Sequence, residues 1–448
     1  MPRQPATADH VPAAAATRIR WRIASLLFML AVVNFFQRSN ISVAADSIMN
    51  AFHLTQVQMG AVFSAYTLGY TLFQVPGGLL ADSLGPRKVL IWATISWALF
   101  TFLTGATAQL VALTGASALM ILIGLRFSLG LFQSPMYPAA TRAVTNWFPV
   151  GERGRANALC ITGISVGAIL VPLTISRLIL YWGWENSFYL TACVTFLVAA
   201  ACSLQVRDVP AQHPAATYSE PGLTSTRLAA PMRTLDMRLL KTQLRSGDLW
   251  RLVLSYTLNG YLFYVFVFWF YLYLVQERHL DSTQSAWLTT VPWVLAAFTT
   301  LGGGYLSDRL IRSKLGVNWG RRIVPMMAQV GAALCIAAGA RSGNVYLASV
   351  FLALCTGLLL AVEGPYWAAT NQVAETNSGF AGGLLNTGGN LGGVISPTLT
   401  PLIAQHFGWI HAFDFAGCMA LLAATLWFWI TPSRRVMVAA ESSQDPAT

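Results

Sequence analysis

Charge is scarce in this chain. Aspartate, glutamate, lysine and arginine make up 10% of its 448 residues against 55% hydrophobic ones, with a mean hydropathy of +0.55, which excludes an ordinary soluble domain. Acid is scarcer than base: 17 acidic residues face 28 basic ones, for a net charge of +11. Only six cysteines occur (Cys160, Cys193, Cys202, Cys335, Cys355, Cys418), all in apolar segments without paired spacing, which argues for small core residues and against disulfides or metal ligands. No nucleotide-binding loop or HExxH helix appears, so nothing supports an enzyme, a bound cofactor or an ATP-driven pump.

What the chain has in abundance is long apolar runs. Segments of about 20 residues, enough to cross roughly 30 Å of hydrocarbon, follow one another with short polar breaks. They predict an all-α polytopic membrane protein with twelve spans: 23–46, 56–81, 87–108, 112–143, 154–178 and 185–205, then 249–275, 284–308, 321–340, 344–373, 380–404 and 410–432. The domain reading is a short N-terminal segment (1–22), a six-helix bundle (23–205), a polar linker (206–248), a second six-helix bundle (249–432) and a tail (433–448). The first span follows Arg18, Arg20 and Arg22 like a secretory signal, but it is long and lacks a small-residue cleavage site, so it reads as retained.

The basic residues set an expected orientation. With both termini in the cytoplasm, all but five of the 28 lie on that side; Arg177, Arg278 and Arg341 fall outside, and Arg38 and Arg126 within the membrane. That bias accounts for the positive charge without a nucleic-acid partner. The linker ends in the basic, leucine-spaced "RTLDMRLLKTQLRSGD", read as a surface helix.

The two bundles repeat one pattern. "FHLTQVQMGAVFSAYTLGYTLFQVPGGLLAD" and "RHLDSTQSAWLTTVPWVLAAFTTLGGGYLSD" align at a constant offset of 226, pairing His53 with His279, Gly78 with Gly304 and Asp82 with Asp308. The fourth and tenth spans align at 230, pairing Gln133 with Glu363, and the fifth and eleventh at 225, pairing Gly163 with Gly388 and Gly167 with Gly392. Parallel repeats of this size belong to one class of secondary transporter, with substrate held where the halves meet. Each half carries a glycine- and acid-bearing loop ("GGLLADSLGPRK", "GGYLSDRLIRSKLGVNWGRR"). Gly78, Asp82, Gly85, Arg87, Lys88, Asp308, Arg321 and Arg322 are its candidates for a conformational latch, with Gly78 and Gly304 expected to permit close helix packing.

A basic side chain in the bilayer centre costs about 2.5–3.5 kcal/mol on insertion scales, so Arg38 and Arg126 call for a use. On the first helix Asn34, Gln37 and Arg38 fall on one face, and on the fourth Arg126, Gly130 and Gln133 do; each stripe is expected to face a cavity. An arginine fork with no adjacent acid suits an anionic ligand; the alternative is a structural pairing, such as Arg38 with Asp46. Glu363, in "AVEGPYWAATN", is the one acid expected well inside a span, open to reading as a proton carrier, a neutral hydrogen-bonding acid or a partner for an arginine. Tyr70, Asn259, Tyr366, Trp367, Asn371, Asn386 and Asn390 supply further polar groups, and "NTGGNLGG" offers small residues for helix contact.

Taken together, "NFFQRSNISVA", the paired loops, "RFSLGLFQSPMYPAATRAVTNWFP" with "ERGRANAL", "EGPYWA" and "GGLLNTGGNLGG" resemble the anion:cation symporter family of the major facilitator superfamily, over nearly the whole chain. The resemblance implies alternating access and import of a small organic anion across the cytoplasmic membrane by a monomer, commonly with protons. It implies substrate contacts at Arg38, Arg126, Tyr70, Trp367 and Asn386; Asn34, Gln37, Gln133 and Asn259 complete the binding candidates. Sugar-acid members typically carry aspartate and glutamate where Gln37 and Gln133 stand, and those acids are thought to couple protons. Glutamine keeps their shape but carries no proton. Coupling through Glu363, uncoupled uniport or exchange, and entry of a protonated substrate all remain open, as does export of an amphipathic compound. A transport-dead sensor would call for an appended signalling domain, which neither terminal stretch suggests.

Overall fold

The computed structural model describes residues 13–148, 150–213, 243–374 and 378–431. Residues 1–12, the linker over 214–242 with most of its expected surface helix, and the tail lie outside the described residues.

Among the described residues sixteen helices trace twelve passages. The first half comprises α1 (Ala13–Phe52), α2 (Gln56–Leu84), α3 (Pro86–Gly105), α4 (Thr107–Thr114), α5 (Ala118–Gln133), α6 (Met136–Trp147), α7 (Val150–Trp182) and α8 (Trp184–Gln205). The second comprises α9 (Gly247–Phe268), α10 (Phe270–Gln276), α11 (Ser282–Ile311), α12 (Gly316–Arg341), α13 (Val345–Ala361), α14 (Glu363–Ala374), α15 (Ser378–Phe407) and α16 (Trp409–Leu426). Nine passages are long and apolar enough on their own to cross a membrane. The other three are α2, α11 and α15, and these lie where the halves meet: α2 packs on α15, and α7 on α11. A helix that faces protein and a polar cavity need not be apolar all round.

Of the spans expected to be continuous, the seventh is interrupted at Trp269, between α9 and α10, and the fourth and tenth are each broken by a proline. Pro135 has no N–H to give the Leu131 carbonyl, which instead accepts from the Ser134 hydroxyl at 2.8 Å, and the fourth passage divides into α5 and α6. Pro365 likewise leaves the Ala361 carbonyl without its helical donor, and the tenth passage turns at Val362 before α14 starts at Glu363. The breaks put Gln133 and Glu363, partners in the sequence repeat, at interruptions of their helices. Discontinuous spans of this kind are tolerated where they line protein or a cavity.

The repeat extends to backbone detail. His53 and His279 are the only non-glycine residues with positive φ among the described residues, at 52° and 51°. Two residues on, Thr55 and Asp281 cap α2 and α11, Thr55 through a reciprocal box with Gln58 and Asp281 by accepting from the N–H groups of Thr283 and Gln284. Gly163 and Gly167 press on the α1 carbonyls of Phe28 and Val32, while Gly388 and Gly392 press on α9 at Val253 and Thr257, the same positions 225 residues later. Gly163, Ser165 and Gly167 spell GxSxG, but inside a helix; no strand-to-helix elbow exists there to expose a nucleophile. The close-packing glycines of the paired loops are one residue earlier than expected. A Cβ on Gly77 would fall 2.8 Å from Pro135 and one on Gly303 1.9 Å from the Ala361 carbonyl, whereas one on Gly78 would make an ordinary 3.5 Å contact and one on Gly304 would meet nothing.

The bundle has a basic end, bearing the α2–α3 and α11–α12 loops, and an opposite end. Among the described residues, the side-chain contacts joining the halves all lie at or beyond the middle toward the opposite end. Phe63 stacks on Phe268 at 4.8 Å, Ser64 bonds Thr398 at 2.9 Å, and Gln276 of α10 donates to Asp46 of α1 while accepting from Gln56 of α2, both at 2.7 Å. Toward the basic end, Leu72, Val75 and Leu80 of α2 are exposed. The bundle is therefore open at its basic end and closed at the other. Gln276→Ala removes two bonds worth about 1 kcal/mol each and should shift the balance toward opening of the closed end by about thirtyfold. Spin labels at Ala51 and Thr283 would report this as a longer-distance population; an unchanged distribution would mean that these bonds do not hold the closure.

Candidate functional site

The centre of the bundle is organised around Arg38. Its guanidinium lies 5.1–5.9 Å from the rings of Phe35, Tyr66, Tyr70 and Tyr264, an aromatic cage that stabilises a cation without supplying an anion. Nη2 donates to the Tyr264 hydroxyl, and Nε has no partner among the described residues. Tyr264 in turn donates to Asn390 Oδ1 at 2.7 Å, and the Asn390 amide donates to the Asn386 carbonyl at 2.9 Å and to Gln74 at 3.5 Å. One guanidinium thus links α1 to α9, α15 and α2 across the two halves. Asp46 is not its partner: that carboxylate is occupied by Gln276 and Asn50 at the closed end.

Arg126 is fully buried. Among the described residues its single hydrogen bond is a long one, Nη1 to the Gln37 carbonyl at 3.5 Å, and Nε and Nη2 have no partner. The Tyr66 ring is 6.0 Å away. A buried guanidinium with most of its donors idle is unfavourable until an anion arrives. Arg126→Leu should accordingly raise the melting temperature of the ligand-free protein while removing the stabilisation that a bound anion gives. A fall in the ligand-free melting temperature would show that Arg126 is structural.

The face expected to be polar around these arginines is more closed than the helical spacing implies. Gln37 turns away from the centre, donating to the Thr191 carbonyl at 3.1 Å and to the Thr195 hydroxyl, and so ties α1 to α8. Gln133 accepts from the Tyr66 hydroxyl at 2.7 Å and donates to the Asn34 carbonyl at 3.3 Å. Gly130 faces no cavity; a Cβ there would lie 2.0 Å from the Tyr66 carbonyl, so α5 sits directly on the α2 backbone. Asn34 Nδ2 and Asn259 Oδ1 are buried without partners among the described residues, and Tyr70 is buried beside Arg38.

In the second half, Glu363 accepts from the Tyr256 hydroxyl at 2.8 Å and from the Trp367 side chain. No hydrogen bond or ion pair joins it to Arg38 among the described residues. Tyr256 and Tyr264, two turns apart on α9, serve the carboxylate and the guanidinium separately. Tyr366 is structural, held by Ser255 at 2.6 Å and Gln329 at 2.7 Å, whereas Trp367 is 38% exposed.

The loop residues pair within their own halves. Asp82 meets Arg142 at 3.6 Å, the Arg87 N–H and guanidinium reach Asp208 and the Ser203 carbonyl, and Gly85, at φ 88°, leaves room for Asp208. Arg321 bonds Asp308 at 2.6 Å, Arg322 donates to the Ile430 carbonyl, and Lys88 is exposed. Among the described residues none of them bridges the halves in this open-to-the-basic-end state.

Sequence spacing missed Tyr66, Tyr256, Tyr264 and Gln74. The available signal was the recurrence of Tyr256, Gly260 and Tyr264 along one face of α9. Hydropathy treats tyrosine as filler, although its hydroxyl is the polar group best suited to a half-apolar wall.

Two six-helix halves of one pattern, a central cation cage and an opening at one end define a membrane transporter rather than an enzyme. The chain belongs to the major facilitator superfamily, whose sequence pattern matches residues 27–317 and 310–446. It is 28% identical to a probable sulfoacetate transporter of Cupriavidus necator, covering 87% of this chain and 89% of the relative. It is 27% identical to a probable galactarate/D-glucarate transporter of Bacillus subtilis, covering 98% of each. Among solved structures it resembles a bacterial homologue of the human lysosomal transporter Spinster in an inward-facing, unoccupied conformation. There the TM-score is 0.77 at 18% identity over 93% of this chain and 97% of that one, a likeness of fold.

Proposed function

We propose that this protein imports a small organic anion with two acidic groups across the bacterial cytoplasmic membrane by alternating access, with proton symport through Glu363. The observation that carries the reading is the state of the two arginines: among the described residues, Arg126 is buried with two unpartnered nitrogens, and Arg38 has a phenol as its one hydrogen-bond partner. Two cations without a carboxylate suit a ligand that brings two acidic groups. The substrates for which the two relatives are named fit this chemistry, since sulfoacetate carries a sulfonate and a carboxylate, and galactarate and glucarate carry two carboxylates. The bias of lysine and arginine supports a cytoplasmic basic end and cytoplasmic termini.

Glu363 is the proton site because Gln37 and Gln133 are engaged in amide hydrogen bonds and cannot ionise, while Glu363 is held, among the described residues, by two neutral donors, Tyr256 and Trp367. The same glutamines favour a second reading, an uncoupled uniporter or exchanger.

Current transients from proteoliposomes on a solid-supported membrane separate the two. Jumps of sulfoacetate, glucarate, a monocarboxylic sugar acid and an aromatic acid should give the largest signals for the dianions, enhanced by an inward proton gradient. Glu363→Gln should retain substrate-for-substrate exchange and lose the gradient enhancement. Wild-type signals indifferent to the gradient would establish the uncoupled reading, and signals confined to monoanions would overturn the dianion assignment.

A further inference from the structure

A cavity of about 800 Å³ lies away from the central site, in a wedge between α1, α7 and α8 within the first half. Its walls are apolar, with Phe36, Leu173, Leu190 and Val194 among them, and one cation, Arg177, stands in its lining. Arg177 is exposed and has no carboxylate or hydrogen-bond partner among the described residues. Tyr181 and Trp182, 76% and 61% exposed, stand at the mouth as an interfacial aromatic pair. From Leu170 to Trp182 the α7 wall rises about 18 Å, slightly more than one leaflet of a hydrocarbon core about 30 Å thick.

The geometry points to a site for one anionic phospholipid, drawn from the leaflet at the end opposite the basic loops. Its phosphate sits on Arg177 and an acyl chain lies along the α1–α8 wall. The wall alone would accept any lipid tail. The unpaired guanidinium, free to snorkel to the interface, selects a net negative headgroup. Gln37, whose amide bonds to α8 and whose chain neighbour is Arg38, also lines the wedge. The lipid therefore borders the central site through one residue without entering it.

Native mass spectrometry of the full-length protein, delipidated in neutral detergent and titrated with phosphatidylglycerol or phosphatidylcholine, tests the site. One phosphatidylglycerol should be retained at about fivefold lower lipid concentration than phosphatidylcholine, the preference that one basic residue near a headgroup supplies. Arg177→Gln should abolish that preference, Arg177→Lys should keep it, and Val194→Phe, which fills an exposed part of the wedge, should reduce retention of both lipids. Arg155→Gln, removing an exposed cation at the basic end, should leave the adduct in place. Equal retention of the two lipids by the wild type, or equal loss in Arg155→Gln and Arg177→Gln, would overturn the proposal.

Discussion

Replacing Arg38 with alanine is expected to lower transport of the anion by about a hundredfold or more, with the melting temperature of the empty protein little changed. Truncating one partner of a buried charge pair typically costs about 2–5 kcal/mol, which sets the scale. The empty protein loses only the contact with Tyr264 and the aromatic cage, whose rings still pack on one another: Tyr66 on Tyr70, and Tyr264 on Phe268. Arg38→Lys keeps the charge but loses the planar fork, and should fall between the two. Substrate-jump currents and thermal unfolding of the same preparations check both parts. Transport within a few-fold of wild type in Arg38→Ala would remove Arg38 from substrate binding.

Much of the architecture was legible in the sequence because membrane spans and repeats are written in composition and register. The offset that paired His53 with His279 reappears as a shared left-handed turn, and the glycines at 163 and 388 do equivalent work on equivalent neighbours. The two proline breaks were missed because Pro135 and Pro365 sit in spans apolar enough to read as continuous. The site was legible only in its cations. Spacing put Gln37 on the Arg38 side of α1, but a helical wheel gives direction to within a quarter-turn, and Thr191 and Thr195 of α8, 154 and 158 residues away, supplied better partners. No local pattern announces a long-range hydrogen bond of that kind.

Two adjacent glycines should fail in different ways. Gly392 and Gly393 both lie where α15 crosses α9, but an added Cβ meets different atoms. At Gly392 it would fall 2.3 Å from the Thr257 carbonyl and 2.5 Å from the Tyr261 nitrogen, both backbone, which cannot yield without separating the helices. At Gly393 it would fall 2.2 Å from the ring of Tyr264, which can swing aside. Gly392→Val should therefore lose about 3 kcal/mol or more of stability and express poorly. Gly393→Ala should fold but pull Tyr264 off Arg38 and Asn390, altering anion affinity far more than melting temperature. Measuring both quantities for each variant decides the matter. Equal unfolding in the two would mean that Tyr264 is as immovable as the backbone and that the close contact is purely architectural.

Tyr264 has a further consequence for how tightly any anion can be held. Its hydroxyl already accepts from Arg38 Nη2, so an arriving carboxylate that takes both arms of the fork through Nη2 must displace it. Binding becomes an exchange of one acceptor for another, and the free energy gained is the difference between the two contacts rather than the whole of the new one. Such a placeholder imposes a ceiling on affinity. It also gives the departing anion a successor, since the phenol can return as the carboxylate leaves. A carrier that turns over repeatedly gains from both effects, because a cargo gripped too firmly is never delivered.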